Sequence, residues 1–223
     1  MIQTRDRHDI KKEQVRLKIR DGFGSVSGIL LAGGGSRRMG GINKALLEVG
    51  GRRIIERAAS VLRKVFREVL VITNSPEDFR FLGLPMFTDL LPGRGSLGGL
   101  YTGLSACAGI YGFLVACDMP FLSEDVIKYM VDMIDGYDVV LPRTSGGFEP
   151  LHAAYSKACL PHIEGLLQRE DLKIANFFDK VKVSEVPEAD LVRFDPELRF
   201  IMNINTPQDL QQARIYVDRE GSE

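Results

Sequence analysis

Tryptophan is missing altogether, and histidine and cysteine occur only three times each. The cysteines, Cys107, Cys117 and Cys159, show no C-x-x-C spacing, and His8, His152 and His162 do not complete a zinc set with them. Cys107 and Cys117 fall in apolar segments and read as buried hydrophobes. Neither sign of charge dominates: 29 basic residues face 30 acidic ones, which argues against broad attraction to nucleic acid. Long apolar runs are also missing. None approaches the ~20 residues needed to span a bilayer. The basic N-terminus precedes Ile29-Leu30-Leu31-Ala32, but that stretch is too short, too late and too broken by glycine for a signal peptide. The expectation is a cytoplasmic protein with no nucleic-acid and no membrane partner. There is no internal repeat, low-complexity tract or interdomain linker. The length of 223 residues fits one or at most two domains with an ample core.

What the chain does have is glycine in one revealing place. The run Val26-Ser27-Gly28-Ile29-Leu30-Leu31 reads as a buried strand, and it empties into Ala32-Gly33-Gly34-Gly35-Ser36-Arg37-Arg38-Met39-Gly40-Gly41-Ile42-Asn43-Lys44. Glycines leaving a strand let the backbone pass close to a ligand and aim N–H groups at phosphate oxygens. Two arginines and a lysine add positive charge. The Walker A pattern fails, because Gly41 rather than lysine follows Gly40. The Rossmann pattern fails as well, because Arg38 stands where its third glycine should be.

Residues 1–24 read as a charged extension, expected to be partly helical or disordered, ahead of an expected domain at 25–218 and a tail at 219–223. Within the domain, a helix is expected from Arg53 to Val65 and strands at Val69–Thr73 and Pro85–Thr88. Ser96 is a candidate N-cap for a helix whose face carries Leu97, Leu100, Leu104 and Ala108. A strand follows at Phe113–Cys117. Ser123 then caps a helix with Glu124 and Asp125 in its first turn and Val126, Ile127, Met130, Val131 and Ile134 on its apolar face. Further strands are expected at Tyr137–Leu141, Leu151–Tyr155, Lys182–Val186 (an edge) and Phe200–Asn205, with a helix over Ser156–Leu167. Thr206, Pro207 and Asp209 start the last helix. Strands alternating with helices predict an α/β fold, a mostly parallel sheet with helices on both faces. In such a sheet ligands gather beyond the carboxyl ends of the strands. Gly33, Asn74, Asp89 and Asp118 each follow a predicted strand, so one crevice could hold all four.

Asp118 is a candidate magnesium ligand, since magnesium favours one or two carboxylates plus substrate phosphates. Asp89 could accept the N–H donors of guanine or bond a ribose hydroxyl, and Asn74 is a similar candidate that also suits an ordinary turn. Arg38 and Lys44 are the candidate electrostatic catalysts: Arg38 can fork onto two phosphate oxygens, and Lys44 is a compact point charge.

The segment Leu31–Lys44 resembles the signature L-A-[GA]-G-x-[SG]-x-R-M-G followed by lysine, found in nucleotidyltransferases. Gly95-Ser96-Leu97-Gly98-Gly99-Leu100, Cys117-Asp118-Met119-Pro120-Phe121 and Asn203-Ile204-Asn205-Thr206-Pro207 are similar to three further motifs of the molybdenum cofactor guanylyltransferases, in family order. Ala-Gly-Gly at 32–34 favours the guanylyl branch over cytidylyl relatives. The resemblance implies a three-layer Rossmann-like nucleotidyltransferase fold. It also implies magnesium-dependent transfer of GMP from GTP to the terminal phosphate of molybdopterin bearing molybdenum. Leu31, Ala32, Gly33, Gly34, Lys44, Asn74, Asp89 and Asp118 would then bind nucleotide, with Asp118 on the metal. Asn203 and Asn205 would lie on the acceptor side or support the metal, and Glu149-Pro150-Leu151 resembles a segment lining the acceptor half. Molybdoenzyme maturation proteins are the further candidate partners. Asn43 departs from the family, which usually has aspartate before the lysine, and so does Ser96, which replaces a proline. Two alternatives stay open: guanylyl or cytidylyl transfer to another phosphorylated acceptor, and a non-catalytic nucleotide- or cofactor-binding protein, for which Asn43 is the one support.

Overall fold

The computed structural model describes residues 24–33 and 43–220. Strand β1 (Val26–Leu31) is buried along its whole length. The short antiparallel pair β2 (Glu48–Val49) and β3 (Arg52–Arg53) leads into α1 (Ile54–Val65). Then come β4 (Val69–Ile72), β5 (Met86–Phe87), α2 (Gly95–Ala106), β6 (Tyr111–Ala116) and α3 (Glu124–Asp132). The remainder is β7 (Val139–Thr144), β8 (Gly147–Phe148), β9 (His152–Ser156), α4 (Leu160–Gln168), β10 (Val183–Pro187), α5 (Glu188–Leu191) and α6 (Pro207–Glu220).

The main sheet runs β10-β7-β9-β6-β1-β4-β5, with β8 paired to β7. β4 and β6 both lie parallel to β1, and β5 to β4. On the far side β10 is parallel to β7, while β9 runs against both β6 and β7. The sheet is therefore mostly parallel with one reversed strand in the path. Because β1 sits between β4 and β6, the chain winds away from it in both directions. The carboxyl ends of β1 and β6 thus form a switch point, where an open α/β sheet leaves a crevice.

Alternation along the strands feeds two packed layers, which is what strands buried on both faces require. Leu30, Val71, Phe113 and Val115 face one layer with Ile55, Ala58 and Leu62 of α1 and Val126, Ile127 and Met130 of α3. Ile29, Leu31, Leu70, Ile72 and Leu114 face the other with Leu97, Leu100 and Leu104 of α2 and Ile163 and Leu166 of α4. α2 rides unusually close to β1. A Cβ on Gly103 would stand 2.6 Å from Ile29 Cγ2, so only glycine permits that approach. The cap of α3 is as expected: Ser123 Oγ accepts from Val126 N at 3.3 Å, and Glu124 and Asp125 occupy the first turn.

Three local expectations are corrected. Ser96 does not cap α2. The helix opens at Gly95, one residue earlier, with Arg94 at the cap position and Gly98 N donating to Arg94 O at 3.1 Å. Ala108 lies beyond α2, which ends at Ala106; its N–H donates to Glu68 Oε2 at 2.8 Å. The segment Phe200–Asn205 is not a strand. Its start is a 3-10 turn, Arg199–Ile201, held by Asp195 Oδ2 accepting from Phe200 N at 2.8 Å. Its apolar residues are spent on two separate packings: Phe200 in the α1/α3 layer, and Ile204 in a small cluster with Val49, Ile54 and Ala213. A run of apolar letters spent on two separate packings mimics a β pattern. Among the described residues, no helix is long and apolar enough to cross a membrane.

Candidate active site

A cavity of about 290 Å³ opens at the switch point. Leu31 and Gly33 reach it from the end of β1, Ile72 from β4, and Asp89 from just past β5. Ala116, Cys117 and Asp118 reach it from the end of β6, and Gly95, Ser96 and Gly99 from the start of α2. Lys44, Leu151 and Asn205 complete the wall. Gly33, Lys44, Asp89 and Asp118, drawn from four separate stretches of sequence, therefore share one concave surface. Gly34 and Arg38 lie outside the described residues.

Backbone pairing fixes the rim. Ala32 N donates to Ile72 O at 2.8 Å and Cys117 N to Leu31 O at 3.0 Å, so the ladders continue past the strand ends up to the cavity. Gly33 comes close enough that a Cβ there would stand 3.9 Å from Asp89 Oδ2. Asn74 is not in the cavity wall. Its Nδ2 donates to Asp89 Oδ2 at 2.7 Å, and Asp89 N donates back to Asn74 Oδ1 at 3.1 Å. This reciprocal pair sets the direction of the Asp89 carboxylate and leaves Asn74 acting on the cavity through Asp89.

Lys44 is only 4% exposed. It opens a 3-10 turn, Lys44–Leu46, capped by Asn43, whose Oδ1 accepts from Ala45 N at 3.2 Å. Asparagine is a full substitute for aspartate in that role. The Lys44 ammonium donates instead to Asn205 Oδ1 at 2.9 Å. Asn205 thus belongs to the lysine's own surroundings. Asn203, two residues earlier, is absent from the wall, and its Nδ2 donates to Ile201 O at 3.0 Å. Of the acceptor-side segment 149–151, Leu151 lines the cavity, and burial raises the pKa of the Glu149 carboxyl.

Asp118 sits in the turn after β6, half-buried, with its carbonyl accepting from Ile204 N at 2.9 Å. Burial raises its pKa, while a hydrogen bond from its own backbone and the Lys44 charge pull the other way. A desolvated carboxylate without a bonded cation gains from a metal, because the ion supplies the charge that lost water no longer offsets. Among the described residues no three His, Cys, Asp or Glu side chains gather as a metal set. That suits magnesium, which takes one or two protein carboxylates and completes its shell with phosphate and water, and does not suit a zinc-type cage.

The role of the α2 N-terminus was only partly visible in the sequence. Its glycine motif stood out, but the expectation that Ser96 caps the helix hid what the start at Gly95 reveals. Gly95 has φ +57 and leaves the first N–H groups of α2 at the cavity, positive end first. Cys117 was read as a buried hydrophobe that opens the motif around Asp118. It also lines the wall, with its thiol pushed up to about 12 by burial, so it stays protonated and inert at neutral pH.

Comparison with known proteins gives a consistent result. The MobA-like NTP transferase domain matches residues 28–183. The molybdenum cofactor guanylyltransferase of Desulfosudis oleivorans is 40% identical over 190 residues, covering 85% of this chain and 94% of that protein. The crystal structure of molybdopterin-guanine dinucleotide biosynthesis protein A from Archaeoglobus fulgidus superposes with a TM-score of 0.76 at 26% identity, over 86% of this chain and 99% of that one. The 4-diphosphocytidyl-2C-methyl-D-erythritol synthase of Anaerococcus prevotii has a TM-score of 0.67 at 19% identity, over 89% of this chain and 98% of that one, which extends the likeness in fold alone.

Proposed function

Because the chain belongs to the molybdenum cofactor guanylyltransferase family of MobA-like NTP transferases, we propose that it transfers GMP from GTP to the terminal phosphate of molybdopterin bearing molybdenum. The products are the guanine dinucleotide cofactor and pyrophosphate. The observation that carries this reading is the convergence of Gly33, Lys44, Asp89 and Asp118 on one cavity at the carboxyl edge of the sheet.

The bond that forms joins an acceptor phosphate oxygen to the α-phosphorus; the bond that breaks joins that phosphorus to the bridging oxygen of pyrophosphate. No covalent enzyme intermediate is needed, so the protein's work is positioning and charge stabilisation. Gly33 lets the triphosphate lie against the end of β1. Lys44, fixed by Asn205, presents its remaining protons to the α-phosphate region. Arg38, from the basic loop, offsets charge on the departing pyrophosphate. Asp89, oriented by Asn74, accepts the two N–H donors of the guanine edge. Asp118 would hold magnesium, whose contribution is to offset negative charge on the phosphate oxygens.

The non-catalytic alternative loses its support. Asn43 does the capping that its position requires, and Lys44 is held from another direction. The deciding experiment is pyrophosphate release by the purified protein with GTP, magnesium and molybdate-loaded molybdopterin, run beside ATP, CTP and UTP. Release with GTP that depends on both acceptor and magnesium is expected. Binding of GTP without turnover, or faster transfer from CTP, would overturn the reading.

A further inference from the structure

The last helix begins with more hydrogen bonding than a cap needs. Asp209 Oδ2 accepts from Thr206 N at 2.7 Å, and Asp209 N donates to Thr206 Oγ1 at 3.1 Å, which is an ordinary reciprocal cap. The same Oδ2 also accepts from Asn205 N at 2.8 Å. Asn205 in turn presents the oxygen that holds the Lys44 ammonium, across 161 residues of sequence. One residue earlier, Ile204 N holds the carbonyl of Asp118. The short stretch 204–209 therefore fastens the Lys44 ammonium and the backbone of Asp118, and Asp209 is its anchor.

We propose that Asp209 is a positioning residue for nucleotidyl transfer: by fixing the Asn205 backbone it sets where Asn205 Oδ1 holds Lys44. This rests on the transfer reaction proposed above. An ammonium withdrawn from water is costly unless it is bonded, so the position of the oxygen that holds it matters. Burial acts to raise the Asp209 carboxyl, but the bonds from Asn205 and Thr206 outweigh it and hold the carboxyl below its ordinary range, with the Lys44 charge adding least.

The test compares three variants by kcat, KM for GTP and Tm. Asp209→Ala should lower kcat about 10–100-fold, as loss of a residue that orients a functional group does, with KM for GTP nearly unchanged. Asp209→Asn should recover most of kcat, because an amide oxygen can accept both backbone bonds. Adding Asp209→Ala to Asn205→Ala should cost no further turnover, because the route to Lys44 is already cut. A purely structural cap would give a different pattern: a lower Tm with kcat intact, or losses that multiply. Either outcome overturns the proposal. Asn205→Ala leaves the cap's backbone bonds in place, so if Asp209→Ala does not fold, unchanged kcat in Asn205→Ala refutes the route. A crystal structure of the Asp209→Asn and Asp209→Ala proteins reads the same point without turnover. Displacement of Lys44 Nζ from Asn205 Oδ1 in the alanine variant alone is expected, and an unmoved contact overturns the proposal. An inactive wild type would refute the transfer reaction instead, and the crystallographic contact would still decide the role of Asp209.

Discussion

Replacing Lys44 by methionine isolates charge from shape. Methionine nearly matches the lysine stem in length but has neither the charge nor the three donors. Two changes in stability oppose each other. A cation that is only 4% exposed no longer has to be desolvated, which favours the variant. Asn205 Oδ1 loses its 2.9 Å partner, which costs about 1–3 kcal/mol if no water replaces it. The net change should be about 1 kcal/mol or less, a shift of roughly 2–4 °C in Tm for a chain of this size. Catalysis has no such compensation. Removing one fixed donor aimed at developing phosphate charge costs about 10²–10³-fold in kcat, or roughly 3–4 kcal/mol. Pyrophosphate release at saturating GTP, with thermal melts on the same preparations, measures both quantities. Arginine should not rescue the variant, because its planar fork is larger than the enclosed ammonium it would replace. A kcat within about threefold of wild type, in a protein that melts normally, would refute the electrostatic role. A loss confined to KM would refute it too, since it would mean that Lys44 binds substrate and transition state equally.

The remaining expectations touch other parts of the molecule. Asp118→Asn keeps the size of the side chain and removes its charge; transfer should fall by at least about 10²-fold while Tm holds or rises, because burial disfavours the wild-type carboxylate. Near-normal activity would sink the metal assignment. Asp89→Asn exchanges one acceptor for a donor, so kcat/KM for GTP should drop about 10–100-fold, with inosine triphosphate, which lacks the 2-amino group, suffering less. An unchanged preference for GTP over the inosine nucleotide would count against Asp89 as the base reader. His152 is fully buried between Phe113 and Phe200, with no partner for either ring nitrogen among the described residues, and burial lowers its pKa from 6.5 to about 3. The unfolded chain therefore takes up this proton first. The stability held by the neutral ring is complete above pH 6.5 and drains as pH falls toward 3, at up to about 1.4 kcal/mol per pH unit. His152→Leu should flatten that part of the urea-denaturation profile, and an unaltered slope would contradict the assignment.

The sheet was legible because its signal is local. Runs such as Val69-Leu70-Val71-Ile72 are buried on both faces, and each apolar residue reports its own strand whatever the neighbours do. Helix faces were legible for the same reason in α1 and α3. α2 shows where this stops. With glycine at 95, 98, 99 and 103 its surface carries little amphipathic contrast, and what Gly99 and Gly103 supply is closeness to Leu31 and Ile29 of β1, which no periodicity records. The reversed direction of β9 was likewise invisible, since strand polarity is set by which neighbours it bonds and not by its own composition.

The candidate site divides along the same line. Gly33, Asp89 and Asp118 could be gathered from sequence because each follows a strand of a parallel sheet, and the sheet itself brings such positions to one edge. Asn74 also follows a strand, yet it is turned aside by its two bonds to Asp89, a distinction that only side-chain geometry can make. Lys44 and Asn205 belong to no strand. Their contact depends on the C-terminal segment crossing back over the Asp118 turn, through Ile204, before α6 starts. The motif Asn203-Ile204-Asn205-Thr206-Pro207 contains that crossing in four separate jobs: Ile204 supplies both an apolar anchor and an N–H for Asp118, Asn205 a bond to the cation, and Thr206 a helix cap. Read as a pattern of polar and apolar letters, Phe200–Asn205 looks like a strand. Unpaired with any strand among the described residues, it has its backbone and side chains available to hold the Lys44 ammonium and the Asp118 carbonyl at the cavity.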